Sequence, residues 1–429
     1  MKLLVNFFMA LAMTFSSYML SEVGTLDLTT FADALKTLYP DAKLNNMVYK
    51  TNPLMAMMSK NEKFFGENQK EPIIYGNPQA RSATIANAIS QTSAASSKLK
   101  AFLLTRVRDY ATAQIDNETL KASESDMGAF LRAATLEIDG ALHSAARSLA
   151  IAMYRTGSGS IGQIDATTVV TSPTLQLSEP DDVTNFEVGQ TLVASTTDGG
   201  GAVEAGTLVV IAVNRSTGTL TTNVDLNVGI PTIAVADFVF AEGDYDLKVS
   251  GLQAWLPYGG PSATPFFGVD RTADTTRLAG TYQDGTAKPV EEALIDLLVT
   301  IGRESGSPDY IFTNFSEYGN IEKALGSKVQ YVNVSAPDMP EIGFQGIKVQ
   351  GPRGTCTIIP DQNCPAKYAF ALQMNTWTLH SLGKAPQLFD TDGLNMLRNA
   401  TTDSLDVRVY YYAQMGCRAP GWNGVVKLR

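Results

Sequence analysis

A long amphipathic pattern between residues 123 and 155 constrains the fold of this chain more than any other feature. Apolar side chains recur in it at helical spacing. Ser123 and Asp126 resemble a capping box, and Gly157 suits the position just after the last turn. At about 1.5 Å per residue such a helix is about 45 Å long, which is more than one compact core requires. The pattern therefore predicts a spine helix.

Residues 62–116, ahead of this helix, are typical of an extended hairpin. The stretch GENQKEPIIYGN is expected to form its first strand and KLKAFLLTRVRDYATAQI its second. The residues of the tip between them are too small and polar to build a core. Each arm of about 18 residues would reach about 60 Å. Because a lone two-stranded ribbon is only marginally stable in water, this hairpin is expected to lie against something else, most naturally another subunit.

The rest of the chain predicts a β domain followed by a mixed layer. Residues 161–245 are rich in Val, Thr, Gly and Asp, nearly free of Lys and Arg, and broken into short apolar runs, which predicts an inserted all-β domain. After it, Pro289 is expected at the first position of a helix, PDYIFTN as a buried strand and Asn314 as the cap of a second helix. This order predicts an α/β layer, and the tail TDSLDVRVYYYAQMGC alternates as a strand.

Composition narrows the classes of function. The 429 residues suffice for two or three domains. A net charge of −10 without any run of Lys or Arg argues against a surface that binds the phosphates of nucleic acid. No segment after the opening run resembles a transmembrane span. Cys356, Cys364 and Cys417 are too few, and odd in number, for a disulfide framework. They are expected to be reduced structural thiols of a protein made in a reducing cytoplasm.

Motifs that often carry chemistry do not assemble into a site. GSGSIG at residues 157–162 matches a dinucleotide-binding pattern, but that pattern must follow a strand and open a helix. Here it follows a helix, so its glycines are interpreted as a flexible domain joint. His143 and His380 lie far apart, and His143 is expected to be packed or at the surface of the spine helix. Asp181-Asp182 is interpreted as an acidic turn and not as a calcium site. The sequence thus predicts no enzyme, catalytic residue, cofactor or metal.

The opening run MKLLVNFFMALAMTFSSYML permits two interpretations. Lys2 and the apolar residues after it resemble a short signal peptide, which would make the chain a secreted β-rich surface or binding protein. Asn6 interrupts the run, however, and no small-x-small cleavage site follows it. Five sequons would matter only in a eukaryotic secretory route, at Asn117, Asn214, Asn314, Asn333 and Asn399.

The order of these elements resembles the major capsid proteins of tailed bacteriophages, which share the Hong Kong 97 fold. LTTFADALKTLYPD resembles the start of one group of them, and NPLMAMMSKNEKFFGENQKEPIIYGNPQ resembles the approach to their extended E-loop. TWTLHSLGKAPQLFDTDG and YYYAQMGCRAPGWNGVV resemble their C-terminal part. The resemblance covers residues 25–429 apart from the β insertion, and Met19 lies close to where relatives begin. Residues 1–18 are therefore expected to extend the N-terminal arm and not to act as a signal peptide.

The resemblance implies an α+β, Hong Kong 97-type capsid fold with an inserted all-β domain. The implied boundaries are 1–61 for the N-terminal arm and short helices, 62–116 for the E-loop, 117–160 for the first part of the peripheral (P) domain with the spine helix, 161–245 for the insertion, 246–385 for the axial (A) domain and 386–429 for the C-terminal part of the P domain. It implies self-assembly as hexamers and pentamers into an icosahedral head that encloses double-stranded phage DNA. The implied location is the virion, assembled in the cytoplasm of a bacterial host.

The implied partners follow from this role. They are other copies of the chain, a portal at one vertex, scaffolding and decoration proteins, and packaged DNA contacted without sequence specificity, with no membrane. Some relatives also join subunits by a Lys–Asn isopeptide bond between E-loop and P domain. Lys63, Lys70, Lys98 and Lys100 lie in or beside the E-loop and Asn399 lies in the C-terminal region, but no pair aligns with the linking motif. Cross-linking is therefore not expected.

Overall fold

The structure, a computed structural model, describes residues 51–116, 127–326, 331–336, 339–389, 397–398 and 403–429. The helices in these ranges are Pro53–Met57 (α1), Ile85–Ser90 (α2), Met127–Ala152 (α3), Leu226–Gly229 (α4), Leu252–Trp255 (α5), Thr275–Ala279 (α6), Val290–Arg303 (α7) and Phe315–Leu325 (α8). The strands of the described residues form four sheets, so the predicted α+β class is confirmed. The predicted arm extension at residues 1–18 and the capping box at Ser123 lie outside the described residues.

The chain divides into two compact units. The smaller takes its described residues from Tyr110–His143 and Gln387–Tyr410, and the larger takes them from Asn46–Asp109, Ser144–Pro386 and Tyr411–Arg429. Helix α3 contributes to both units. Its buried residues Ile138 and Leu142 in the smaller unit, and Leu149 in the larger, keep the helical spacing that the sequence pattern predicts.

One long strand organises the smaller unit. The strands here are Val107–Asp116 (β4), Gln387–Leu388 (β18), Leu397–Arg398 (β19) and Ser404–Cys417 (β20). Strands β18 and β19 pair antiparallel with β20, and β4 also pairs with it. Tyr110 of β4 stacks on Tyr410 of β20 with ring centroids 6.5 Å apart. In the larger unit, the end of β20 pairs with Trp377–Ser381 (β17), which in turn pairs in parallel with Ser59–Asn61 (β1).

A seven-stranded mixed sheet lies in the larger unit. Its strands, in spatial order, are Thr281–Asp284 (β11), Gly424–Lys427 (β21), Tyr368–Leu372 (β16), Tyr310–Thr313 (β12), Gly354–Pro360 (β15), Met339–Gly351 (β14) and Tyr331–Ala336 (β13). Helices α7 and α8 share a buried core with this sheet. Asn314 caps α8 by accepting a hydrogen bond from the backbone N–H of Ser316. Pro289 lies at the cap of α7 and not, as predicted, at its first helical position.

The sheets do not follow the predicted domain boundaries at the C-terminus. The predicted domain of residues 386–429 includes β21, yet β21 lies inside the seven-stranded sheet between β11 and β16. Conversely, β17 falls within the predicted 246–385 domain but pairs with β20. Val425 and Val426, on opposite faces of β21, are both almost fully buried, as in a strand that is covered on both faces of its sheet.

Residues 160–241 form a separate antiparallel sheet. Its strands are Ser160–Gln163 (β5), Thr174–Gln176 (β6), Thr191–Ser195 (β7), Leu208–Asn214 (β8), Thr219–Thr222 (β9) and Phe238–Ala241 (β10), in the order β5-β10-β7-β8-β9-β6. Phe186, Leu192 and Leu220 are fully buried in a core of its own, to which, among the described residues, Ile151 of α3 is the one contribution from outside this segment. We call residues 161–245 the insertion.

The joint at the start of the insertion is closely packed, so its interpretation as flexible is wrong. Helix α3 ends at Ala152, before the predicted cap at Gly157. The chain then runs beside the segment that leaves the insertion: Asp246 donates its backbone N–H to Ser158, and Lys248 donates to Gly157. Gly157 and Gly159 have φ of +90° and +89°. These glycines permit a close approach of two backbone segments and not free movement.

Replacing Gly159 by Ala is expected to lower the free energy of unfolding by about 3 kcal/mol, since left-handed φ and a steric clash add. The new Cβ would lie 2.4 Å from the carbonyl oxygen of Asp244. Gly189→Ala is a matched control, because Gly189 has the same φ of +89° but no atom within 4 Å. That variant is expected to lose about 1 kcal/mol. Denaturant unfolding measures both, and equal losses would contradict a packed joint.

The hairpin is shorter than predicted. Strands Asn68–Gly76 (β2) and Lys98–Thr105 (β3) pair antiparallel over 9 and 8 residues. Each arm is therefore about 30 Å long and not 60 Å. The predicted returning arm is in fact two strands, because the chain leaves the hairpin at Arg106 and continues as β4, whose partner is β20. Both strands alternate alike, so the pattern alone does not reveal the change of partner.

Candidate assembly surfaces

The inner face of the hairpin packs on its own subunit. Opposite residues of an antiparallel pair share a face, and Ile73, Phe102 and Leu104 all lie buried on the inner one. The Phe102 ring meets Trp255 at a centroid distance of 4.9 Å. Along one edge, the backbone N–H of Leu103 donates to the carbonyl of Phe267 at 3.0 Å. The expectation that the ribbon lies against another subunit is therefore wrong for this face.

The outer face of the hairpin is apolar and exposed. Ile74 and Leu99 lie directly opposite each other and are 62% and 60% exposed. Leu103 lies on the same face, four residues after Leu99, and is 39% exposed. Large apolar side chains in a contiguous exposed row are typical of a contact surface. We call these residues, with Lys70 opposite Leu103, the outer face.

The tip of the hairpin continues this exposed apolar surface. Between residues 77 and 97 no side chain is buried. Helix α2 places Ile85 and Ile89, four residues apart and thus on one face, at exposures of 80% and 67%. The backbone N–H of Gln79 donates to Ala94 at 2.7 Å and closes the tip. The tip therefore holds a fixed shape that contributes nothing to the core of its own subunit.

A buried carboxylate anchors the hairpin to the body of the subunit. Glu71 of β2 is 3% exposed. One of its oxygens lies 2.9 Å from Nε2 of His380 on β17, and the other accepts from Nε of Arg418 at 3.2 Å. The sequence did not reveal this anchor, although the alternation that places Glu71 on the inward face beside Ile73 is visible in it.

The side-chain amide of Asn61 indicates which ring nitrogen of His380 carries the proton. Oδ1 of Asn61 accepts the backbone N–H of Lys63 at 3.1 Å, so its Nδ2 group faces Nδ1 of His380 at 3.3 Å. An amide NH₂ only donates, which makes Nδ1 the acceptor. When the ring is neutral, its proton then lies on Nε2, the nitrogen that is 2.9 Å from a carboxylate oxygen of Glu71. Burial alone would raise the pKa of Glu71, but the interaction with His380 and the charge of Arg418 outweigh it and lower the pKa.

Glu71→Gln is expected to cost about 2 kcal/mol of unfolding free energy at pH 7, the value of a charge-assisted buried hydrogen bond. A carboxyl with a lowered folded-state pKa adds stability above its unfolded pKa and loses it as the pH falls through the folded value. The difference from the unmodified protein should therefore shrink below about pH 4. Denaturant unfolding between pH 7 and pH 3 tests this, with the exposed Glu67→Gln as control. A difference that does not change with pH would contradict the ionised anchor.

A second buried charged cluster lies where the chain leaves the insertion. Lys248 Nζ lies 2.6 Å from Asp109 Oδ2 and 3.1 Å from Asp244 Oδ2, and it donates to Ser148 Oγ at 2.9 Å. The Tyr411 hydroxyl also donates to Asp109, at 3.0 Å. Burial raises the pKa of Asp244, which Lys248 partly offsets. One lysine thus pairs with two carboxylates and joins the exit of the insertion to β4 and α3.

The histidines and lysines singled out in the sequence lie apart. The His143 side chain is exposed on α3, whereas His380 is buried in the hairpin anchor. The side chains of Lys63, Lys70 and Lys98 are exposed. Lys100, in contrast, donates to the carbonyl of Asp270 at 2.7 Å. Asn399, the other residue considered for cross-linking, lies outside the described residues, as does the sequon at Asn117.

The paired aspartates bond to other side chains of the protein, and the cysteines are buried in it. Asp181 accepts a hydrogen bond from Ser316 Oγ at 2.6 Å, and Asp182 forms an ion pair with Arg155 at 2.5 Å, both within an acidic turn. The cysteines are buried and unpaired, and burial raises the pKa of the Cys417 thiol to about 12. In the described ranges no group of three or more His, Cys, Asp or Glu residues is placed to hold a metal ion. Nor does any helix described there have the length and apolarity to span a membrane.

Comparison with known proteins identifies the class. Residues 219–411, somewhat less than half of the chain, match the model of the SU10 major capsid protein family. This match confirms the resemblance to the major capsid proteins of tailed phages. The chain is a building block of a phage capsid. None of the curated proteins compared with it matches.

Solved structures with a similar course of the chain come from capsids and related particles. The Cyanophage A-1(L) capsid subunit shares 12% identity over 89% of this chain and 92% of its own, with a TM-score of 0.46. A capsid subunit of an empty GTA particle shares 11% identity over 88% and 96%, with a TM-score of 0.41. The virus-like particle of Pyrococcus furiosus shares 9% over 90% and 96%, with a TM-score of 0.39.

Proposed function

We propose that this capsid subunit self-assembles as hexamers and pentamers into an icosahedral head that encloses double-stranded phage DNA. The observation that carries the proposal is the hairpin, whose inner face is buried in its own subunit while its outer face and tip expose apolar side chains. Such surfaces need a partner, and in a shell each copy meets several others. Many weak contacts per subunit then add up to a stable particle.

Further details of this proposal follow from the family resemblance. A portal occupies one vertex, scaffolding and decoration proteins assist, and the packaged DNA is contacted without sequence specificity. Assembly takes place in the cytoplasm of the bacterial host, and the subunit has no enzymatic role. The domain layout of N-terminal arm, E-loop, P domain, insertion and A domain belongs to this proposal. In it β17, which pairs with β20, is placed in the P domain, and β21, which lies in the seven-stranded sheet, is placed in the A domain.

Negative-stain microscopy and sedimentation of the protein expressed in bacteria, with and without its scaffolding partners, test the proposal. Closed shells of uniform size are expected. A matched variant, Ile74→Ser with Leu99→Ser, should remain folded but assemble poorly, because both side chains are exposed in the single subunit. A protein that stays monomeric under all scaffolding and salt conditions would contradict the proposal. The secreted alternative would instead give a mature chain lacking about its first 20 residues in mass spectrometry.

A further inference from the structure

A cavity of about 350 Å³ lies where the insertion meets the seven-stranded sheet, within the larger unit of the chain. The insertion lines it with Gln163 of β5, Phe238 of β10 and Glu179, which lies just before the acidic turn. The body of the subunit lines it with Gln253 of α5 and Tyr368 of β16. The volume falls in the range of about 300–1,000 Å³ that is usual for small-molecule sites.

Ion pairs between the insertion and the body fix the shape of this cavity. Glu179 Oε1 lies 2.8 Å from Nζ of Lys367, and Asp182 lies 2.5 Å from Arg155. In each pair the carboxylate belongs to the insertion and the cation to the body. The two walls are therefore held together by the protein's own contacts, and a preformed site costs a ligand little ordering.

Three polar side chains on the cavity wall retain hydrogen-bonding capacity. The Tyr368 hydroxyl and the Gln253 amide have no partner among the described residues. Burial raises the pKa of Tyr368, so its hydroxyl stays protonated at neutral pH and can both donate and accept. Gln163 donates through Nε2 to the carbonyl of Ala236 at 2.8 Å, which leaves its Oε1 able to accept. The cavity thus presents donors and acceptors together.

The charges on the wall argue against an ionic ligand. An anion such as phosphate would meet the carboxylates of Glu179, Asp182 and Asp198 and a single guanidinium, that of Arg155. An amine would find Glu179 and Asp182 already paired with cations, and Asp198 already accepts the Thr156 hydroxyl at 3.0 Å. Carboxylates held in this way keep lone pairs that accept from hydroxyl groups. A neutral ligand rich in hydroxyls suits these groups best.

Part of the wall is apolar and aromatic. Phe238, Leu256 and Tyr258 line it, and the Tyr258 ring lies 6.1 Å from that of Tyr368 in an edge-to-face arrangement. Aromatic rings offer flat apolar area, and a tyrosine adds a polar end. The C–H groups on one face of a sugar ring match such a surface, while its hydroxyls match the polar side of the cavity.

We propose that this cavity binds a neutral saccharide, with one sugar ring packed against the apolar wall and its hydroxyls bonded to Tyr368, Gln253 and Gln163. Hydroxyl groups donate and accept, as the amide and phenol groups opposite them do. Because every lining residue belongs to one subunit, the site goes beyond the proposed assembly and does not depend on it.

Calorimetric titration of the unassembled full-length subunit with glucose, galactose, mannose and N-acetylglucosamine tests the site. At least one of these sugars should bind with a dissociation constant below about 5 mM. Tyr368→Phe and Gln253→Met should each weaken that binding by at least about threefold, the effect of one lost hydrogen bond. Tyr318→Phe is the matched control and should leave binding unchanged. Tyr318 is likewise half-buried with no hydrogen-bond partner among the described residues, but it lies on α8 outside the cavity wall.

The outcomes separate the site from its alternatives. Thermal unfolding of each variant checks that it is folded, which is expected because the removed groups make no hydrogen bond to the described protein. Absence of binding by all four sugars would overturn the proposal. Binding that neither Tyr368→Phe nor Gln253→Met weakens would place the sugar elsewhere and overturn this site. Tighter binding of spermidine than of every sugar would overturn the assignment to a neutral ligand.

Discussion

Removing residues 80–97 is expected to reduce the yield of closed particles by at least about tenfold while the subunit stays folded, because lost contacts multiply over all copies of a shell. The removed segment has no buried side chain, and it carries Ile85 and Ile89 at the surface. Asn77, Pro78 and Gln79 then join β2 to β3 directly, a loop length that antiparallel hairpins commonly use.

Two measurements separate assembly from folding in this variant. Thermal unfolding of the unassembled subunit should be nearly unchanged, whereas sedimentation should show few shells. The full-length double variant Ile85→Ser and Ile89→Ser serves as control for chain length and should lower the yield in the same direction. An unchanged yield would exclude the tip from assembly, and global unfolding would show that it belongs to the core.

Replacing Lys248 by Met is expected to lower the free energy of unfolding by about 3–5 kcal/mol, the cost of removing one partner from a buried ion pair. The side chain of Lys248 is 8% exposed, and its loss removes the ammonium group that lies beside the carboxylates of Asp109 and Asp244. The Asp244 carboxylate would then favour protonation, since burial already raises its pKa. The variant should therefore lose less stability at pH 4 than at pH 7.

The surface pair of Lys288 and Asp296 provides the control for this experiment. Its side chains are 36% and 38% exposed, so Lys288→Met should cost much less unfolding free energy than Lys248→Met. Denaturant unfolding of the two variants at both pH values makes the comparison. A loss at Lys248 as small as that at Lys288 would show that the exit of the insertion does not depend on this cluster.

Local elements of this fold follow from the sequence because they depend on short-range periodicity. Helix α8 runs over the residues that the pattern predicts, with Asn314 as its cap. The short apolar runs of the insertion coincide with β6 to β10, because turn residues separate them on both sides. In these segments each residue faces the side that its own spacing along the chain dictates.

Pairing partners, in contrast, depend on contacts that are distant in sequence. Period-two alternation continues from β3 into β4 and assigns faces to both, but it does not say that β4 pairs with β20. The hairpin anchor joins Glu71 to Arg418, which are 347 residues apart, and no local pattern connects them. The same holds for β21, whose partners β11 and β16 are both distant from it in sequence.

Electron cryomicroscopy of particles assembled from the unmodified protein tests the central claim most directly. A closed icosahedral shell is predicted, in which Ile74, Leu99 and the tip of each hairpin are buried against a neighbouring copy. The inner face of the hairpin should stay on its own subunit, with Glu71 between His380 and Arg418. Open aggregates without symmetry, or a shell in which the outer face and tip point into solvent, would contradict the account.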